Sequence, residues 1–147
     1  MDSKHQPLTI IMIEDDDGHA TLIERNIRRA GVNNEIVKFA SGKPALDYLI
    51  GSGGASGVQN GRTYMVLLDL NLPDMSGVDI LRRLKETPKT ERIPVVVLTT
   101  TDDKAEIQRC YDLGCNVYVT KPVNYENFAN AIRQLGLFFT VVQVPEV

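Results

Sequence analysis

The sequence predicts an α/β domain, a doubly wound five-stranded parallel sheet flanked by five helices, and three observations carry that expectation. The runs Ile10–Ile13, Met65–Leu68 and Val95–Leu98 are short, aliphatic and unbroken by polar residues, as strands covered on both faces require. Residues 35–39 and 116–120 alternate apolar with polar positions, which gives each one better-solvated face and places both at the sheet edges. Helical patterns separate every pair of these segments. Strict alternation of strand and helix leads to a parallel sheet with helices on its faces.

The elements follow in order. Ala20, Ile23, Ile27 and Ala30 recur at helical spacing after the first strand, with Asp17 placed to cap the start and Gly31 to end it. Ala45, Leu46 and Leu49 mark a second helix, and Val78, Leu81 and Leu84 a third. Ala105, Ile107 and Tyr111 belong to a fourth, stopped by Gly114, while Phe128, Ile132 and Leu135 form a fifth ending near Gly136. Right-handed crossovers leave few topologies for such a chain. The glycine-rich stretch Gly51–Gly61 precedes a strand and lacks the Gly-Lys-Ser/Thr ending of a nucleotide loop, so it reads as a flexible surface loop.

A chain of 147 residues accommodates one hydrophobic core. The boundaries expected are a tail at 1–8, one domain at 9–137 and an apolar extension at 138–147. A net charge of −3 supplies no field that would recruit nucleic acid or anionic membrane. The first residues lack the apolar stretch of a secretion signal, and no apolar run approaches the ~20 residues that span a bilayer. A cytoplasmic location is therefore expected. Cys110 and Cys115 are the only cysteines and have no His or Cys pattern around them to complete a zinc site. They read as two half-buried thiols in a reducing compartment.

In an open α/β sheet, ligands sit beyond the carboxyl ends of the strands, so the residues there carry the information. The first strand runs into Glu14-Asp15-Asp16, the third into Asp69, the fourth into Thr99-Thr100-Thr101 and the fifth into Thr120-Lys121-Pro122. Asp16 and Asp17 fit equally well as ordinary helix caps. Glu14, Asp15 and Asp69 do not, because they directly end apolar strands, where a charge is costly without compensation. Two carboxylates ~4 Å apart repel by about 4 kcal/mol at an effective dielectric near 20, a cost that a hard divalent cation removes. All-oxygen ligands suit magnesium. A carboxylate of ordinary pKa is ionised at neutral pH, so Asp69 could attack phosphorus without a general base and form an acyl phosphate. Magnesium and the Lys121 ammonium would offset the repulsion between anions, and the Thr99 hydroxyl could donate to a phosphoryl oxygen.

With these motifs in view, the chain resembles the receiver domains of two-component response regulators over nearly its whole length. The matching segments are Ile-Glu14-Asp15-Asp16, Leu-Leu-Asp69-Leu-Asn71-Leu-Pro73, Val-Leu-Thr99-Thr100 and Tyr118-Val-Thr-Lys121-Pro122. The resemblance implies the flavodoxin-like receiver fold with strand order 2-1-3-4-5. It implies that Asp69 is the phosphoacceptor, that Asp15 and Asp69 bind Mg2+ directly, that Glu14 helps through a water and that Asn71 offers its carbonyl. Thr99, Thr100 and Lys121 would contact the phosphoryl group, and the Lys121–Pro122 bond would be cis. No enzyme activity is implied beyond slow loss of the chain's own phosphate. The closest likeness is to the stand-alone regulators paired with bacterial and cyanobacterial phytochromes. It rests on the glycine-bearing insert before the third strand, the Leu70-Asn-Leu-Pro73 run, Leu98–Asp103 and the tail 138–145, although Phe139 stands where that group usually has tryptophan.

The same likeness implies a switch in which Thr99 moves toward the phosphoryl group and Tyr118 rotates into the space it leaves. That movement would alter the face made by the fourth helix, fifth strand and fifth helix. The partners implied are a sensor histidine kinase, of phytochrome type on the narrower likeness, and a second copy of the chain. Phe138, Phe139, Val141, Val142 and Val144 are too apolar for a free terminus, and their extended β-branched pattern suits a dimerisation arm. The alternative output is a phosphorelay in which the group passes to another His-containing protein. A phosphatase of related fold would place a second acid where Asn71 stands. A flavin binder would want a hydroxyl-rich loop where the chain has three acids. A degenerate scaffold would not keep the full set Glu14, Asp15, Asp69, Thr99 and Lys121.

Overall fold

The computed structural model describes residues 8–51, 57–59 and 61–121, with 126, 130 and 133. Its elements are β1 (Leu8–Ile13), α1 (Asp17–Arg29), β2 (Ile36–Phe39), α2 (Gly42–Leu49), β3 (Thr63–Leu68), α3 (Gly77–Glu86), β4 (Val95–Thr99), α4 (Lys104–Leu113) and β5 (Val117–Thr120). The strands form one parallel sheet in the order β2-β1-β3-β4-β5, as expected. Four helices are bounded among the described residues. Glu126, Asn130 and Arg133 are helical, while Phe128, Ile132 and Leu135 of the expected fifth helix lie outside the described residues.

Strand alternation sorts the core into two layers. Ile11, Ile13, Val66, Leu68, Val95 and Val97 face α2, α3 and α4, whereas Ile10, Met12, Met65, Leu67, Val96 and Leu98 face the Leu22, Ile23 and Ile27 stripe of α1. All twelve of these strand residues are buried, which explains their unbroken apolar runs. The edge strands β2 and β5 contain no fully buried residue, in keeping with their alternation.

Two local expectations are corrected. Asp16, not Asp17, caps α1: its side chain accepts from the His19 N–H at 2.9 Å, and Asp17 is the first helical residue. Ala105, Ile107 and Tyr111 lie on α4 and Gly114 ends it, as expected; Ala105 and Tyr111 are exposed and Ile107 half-buried, while Cys110 is the buried residue. The short step from 105 to 107 does not follow a helical face, so those apolar residues do not define the packed side. Cys110 and Cys115 are fully rather than half buried. The end of α4 explains why: the Cys115 N–H donates to the Cys110 carbonyl at 3.0 Å and the Gly114 N–H to that of Tyr111, with Gly114 at φ +111°. This is a Schellman cap, whose apolar contact joins the residues at these two positions.

Candidate functional site

Parallel strands bring their carboxyl ends to one edge, and hydrogen bonds just past those ends set the backbone of the site. The Glu14 N–H donates to the Phe39 carbonyl at 2.9 Å, Asp69 to Ile13 at 3.0 Å and Lys121 to Thr99 at 2.6 Å. Residues from positions 14, 69, 99 and 121 therefore converge because the sheet ladder extends to each of them.

Carboxylate oxygens of Glu14, Asp15 and Asp69 all lie within 4.8 Å of one another. Glu14 and Asp69 are buried and Asp15 is exposed. Lys121, itself 5% exposed, places its Nζ 2.5 Å from Glu14 Oε1 and 3.3 Å from Asp69 Oδ2. The second Glu14 oxygen accepts from the Asp16 N–H at 3.2 Å. Burial pushes the Glu14 carboxyl up, to about 7; the Lys121 ammonium beside it opposes that rise and the Asp69 charge adds to it. Among the described residues one lysine is bonded to two of these three carboxylates, so the cluster has more anionic than cationic charge.

Asn71 links this cluster to the β4 end. Its N–H donates to Asp69 Oδ1 at 3.2 Å, and its side-chain amide donates to the Thr99 and Thr101 hydroxyls, each at 3.3 Å. Thr99 is fully buried, whereas Thr100 is exposed just beyond the strand. The Tyr118 hydroxyl donates to the Thr101 carbonyl at 2.6 Å, and burial pushes its pKa up to about 12, so it keeps its proton. An open cleft runs from Asp15 along Leu70–Ser76, and Asp69, which directly precedes Leu70 in the chain, is 6% exposed. Pro122 and the tail residues Phe138, Phe139, Val141, Val142 and Val144 lie outside the described residues.

Three residues that sequence reasoning passed over shape the site. Gly77 packs so closely under the β3 end that a Cβ there would sit 2.4 Å from the Asp69 carbonyl oxygen. Asp74 accepts from the Gly42 and Lys43 N–H groups at 2.8 Å each, which ties the loop after Asp69 to the start of α2 and lowers the Asp74 pKa. His19 places its Nδ1 3.2 Å from Lys121 Nζ. The Pro73-Asp74 and Ser76-Gly77 pairs carry a loop signal in the sequence, but nothing local marks His19 as a neighbour of residue 121.

A parallel sheet in this order, with acids from β1 and β3 facing a lysine after β5, defines the receiver class of doubly wound domains. The chain belongs to the response regulator receiver domain family, whose model matches residues 10–133. A solved receiver domain from Rhodospirillum rubrum is 71% identical, with a TM-score of 0.91 over 95% of this chain and 98% of that one. Response regulator Rcp1 of Synechocystis is 29% identical over 94% of this chain and 92% of its own length. The manganese-bound form of Rcp1 superposes with a TM-score of 0.86, covering 95% and 99% of the two chains. The phosphorylated cyanobacterial phytochrome response regulator RcpA is 31% identical, with a TM-score of 0.84 over 96% of this chain and 99% of that one.

Proposed function

We propose that this response regulator accepts a phosphoryl group on Asp69 from a sensor histidine kinase. The observation that carries the reading is the Lys121 ammonium between two buried carboxylates, Glu14 and Asp69, beside an exposed third, Asp15. An Asp69 carboxylate oxygen would attack phosphorus as the phosphorus–nitrogen bond of a donor phosphohistidine breaks. The electron pair of that bond returns to the donor imidazole, which takes up a proton. Asp69 needs no base, since a carboxylate is already the nucleophile.

The oxygen-only donor set, clustered within 4.8 Å and carrying surplus negative charge, fits a hard divalent cation. Asp15 and Asp69 would hold magnesium directly, with the Asn71 carbonyl as a further ligand and Glu14 acting through water. Bound magnesium supplies charge neutralisation for the phosphoryl oxygens. Lys121 and the Thr99 hydroxyl would take the remaining oxygens, with Thr100 as the third phosphoryl contact. The manganese-bound form of Rcp1 supports a divalent metal in a domain of this fold.

The likeness to RcpA favours a phytochrome-type kinase as the donor. Phosphorylation would draw Thr99 toward the phosphoryl group and let Tyr118 turn inward, changing the face of α4, β5 and the expected fifth helix that partners read. The tail 138–147 would join two copies of the chain, and Pro122 would hold a cis bond that aims Lys121. Among the described residues no helix is long and apolar enough to cross a membrane, and the reading places the protein in the cytoplasm. The direct test is incubation with acetyl phosphate and magnesium followed by intact mass. The parent should gain one phosphoryl group and Asp69→Asn none.

A further inference from the structure

We infer that His19 is a positioning residue for Lys121, an inference that rests on the phosphoacceptor reading above. Among the described residues, Lys121 Nζ has three neighbours within hydrogen-bond reach: Glu14 Oε1 at 2.5 Å, His19 Nδ1 at 3.2 Å and Asp69 Oδ2 at 3.3 Å. An ammonium has three N–H donors and no acceptor, so His19 Nδ1 must be the acceptor of this bond. That requires the neutral ring with its proton on Nε2.

The backbone of the residue that carries the ring is anchored. The His19 N–H is bound by the Asp16 side chain at 2.9 Å, which anchors the residue in the first turn of α1. From there the imidazole meets a lysine that follows β5, the far edge strand of the sheet. The consequence is electrostatic. Glu14 and Asp69 compete for one buried cation, and the shorter distance goes to Glu14. A neutral acceptor outside that pair occupies one donor and keeps the ammonium from committing wholly to Glu14. It thereby stays in reach of Asp69, where the phosphoryl group forms. A carboxylate at position 19 would bind the ammonium too strongly, and a cation would repel it.

The test compares the parent with His19→Leu, which fills space without an acceptor, and His19→Asn, whose Oδ1 restores an acceptor near the Nδ1 position. Rate constants for mass gain are measured with acetyl phosphate and magnesium, alongside melting temperatures. Leucine should slow phosphorylation about fivefold, the scale of one hydrogen bond, while asparagine stays within about twofold of the parent. Equal rates for leucine and asparagine, whether both parental or both slow, would overturn the inference. A second readout needs no rate: imidazole nitrogen shifts of the unphosphorylated parent, assigned against His19→Asn, should show the Nε2–H tautomer. The Nδ1–H tautomer would equally overturn it. A parent that gains no phosphoryl group would instead refute the phosphoacceptor reading, and this inference with it.

Discussion

Lys121 and Glu14 form a buried ion pair, 2.5 Å apart across 107 residues of sequence, with both side chains 3% exposed. Such a pair stabilises little relative to an apolar replacement, but breaking it is costly because one charge is left without a partner. Lys121 is also the only basic side chain bonded to Glu14 and Asp69 among the described residues. Lys121→Met should therefore destabilise the metal-free protein by about 3 kcal/mol. Magnesium should recover part of that loss by supplying the missing positive charge. Urea unfolding in chelator and in magnesium checks both parts.

The Glu14 carboxyl gives a pH dependence with a definite sign. Burial raises its pKa from an ordinary 4.5 to about 7, so the folded state holds this proton more tightly than the unfolded chain. Its contribution is fully present below the unfolded pKa and is lost as pH rises through the folded value. Glu14→Gln removes the titration. In chelator, the parent should lose stability relative to Glu14→Gln between about pH 5 and about pH 8. Unfolding free energies that run parallel across this range would contradict the assignment.

Gly77 marks where α3 begins against the residue proposed as phosphoacceptor. A Cβ there would meet the Asp69 carbonyl at 2.4 Å and Leu70 Cα at 2.6 Å, both backbone atoms that cannot swing aside. Gly77→Ala should cost about 2 kcal/mol and slow Asp69 phosphorylation, since relief requires the β3 end to move. Chemical denaturation and acetyl phosphate labelling measure the two effects.

Thr99 and Tyr118 are joined through one loop. The Thr99 hydroxyl accepts from Asn71, which also donates to Thr101, and the Thr101 carbonyl accepts from the Tyr118 hydroxyl. Thr99→Ala should leave much Asp69 phosphorylation in place but weaken the difference in partner binding between the phosphorylated and free forms. Tyr118→Phe should lose about 1 kcal/mol of stability with its hydrogen bond. Partner titrations with and without phosphorylation separate coupling from chemistry, and a parental response in Thr99→Ala would remove Thr99 from the switch.

The tail prediction rests on composition. Deleting residues 138–147 removes Phe138, Phe139 and four valines, and should convert a dimer to a monomer in light scattering. A dimer of unchanged stability after deletion would place the interface elsewhere.

The order of elements, the central and edge strands and the acids at the strand ends were all legible in the chain, because each depends on neighbours a few residues away. Ile10–Ile13 is apolar throughout because both of its faces are covered, and Glu35–Phe39 alternates because one face of an edge strand meets water. Glu14, Asp69, Thr99 and Lys121, which the structure brings together, stood out for the same reason: charge or hydroxyl at the end of an apolar run is a local anomaly. What only the tertiary structure decided is which of these groups touch, and what else touches them. His19 sits in an ordinary amphipathic helix and Gly77 at an ordinary helix start, so no local pattern marks either one as a neighbour of the site. Their roles arise from the packing of α1 against the end of β5 and of α3 against the end of β3. Contacts between residues 52, 102 and 107 positions apart, those of Lys121 with Asp69, His19 and Glu14, are set by the sheet rather than by any local pattern. Periodicity reports the face a residue presents, whereas a hydrogen bond between distant side chains depends on the three-dimensional path of the backbone between them.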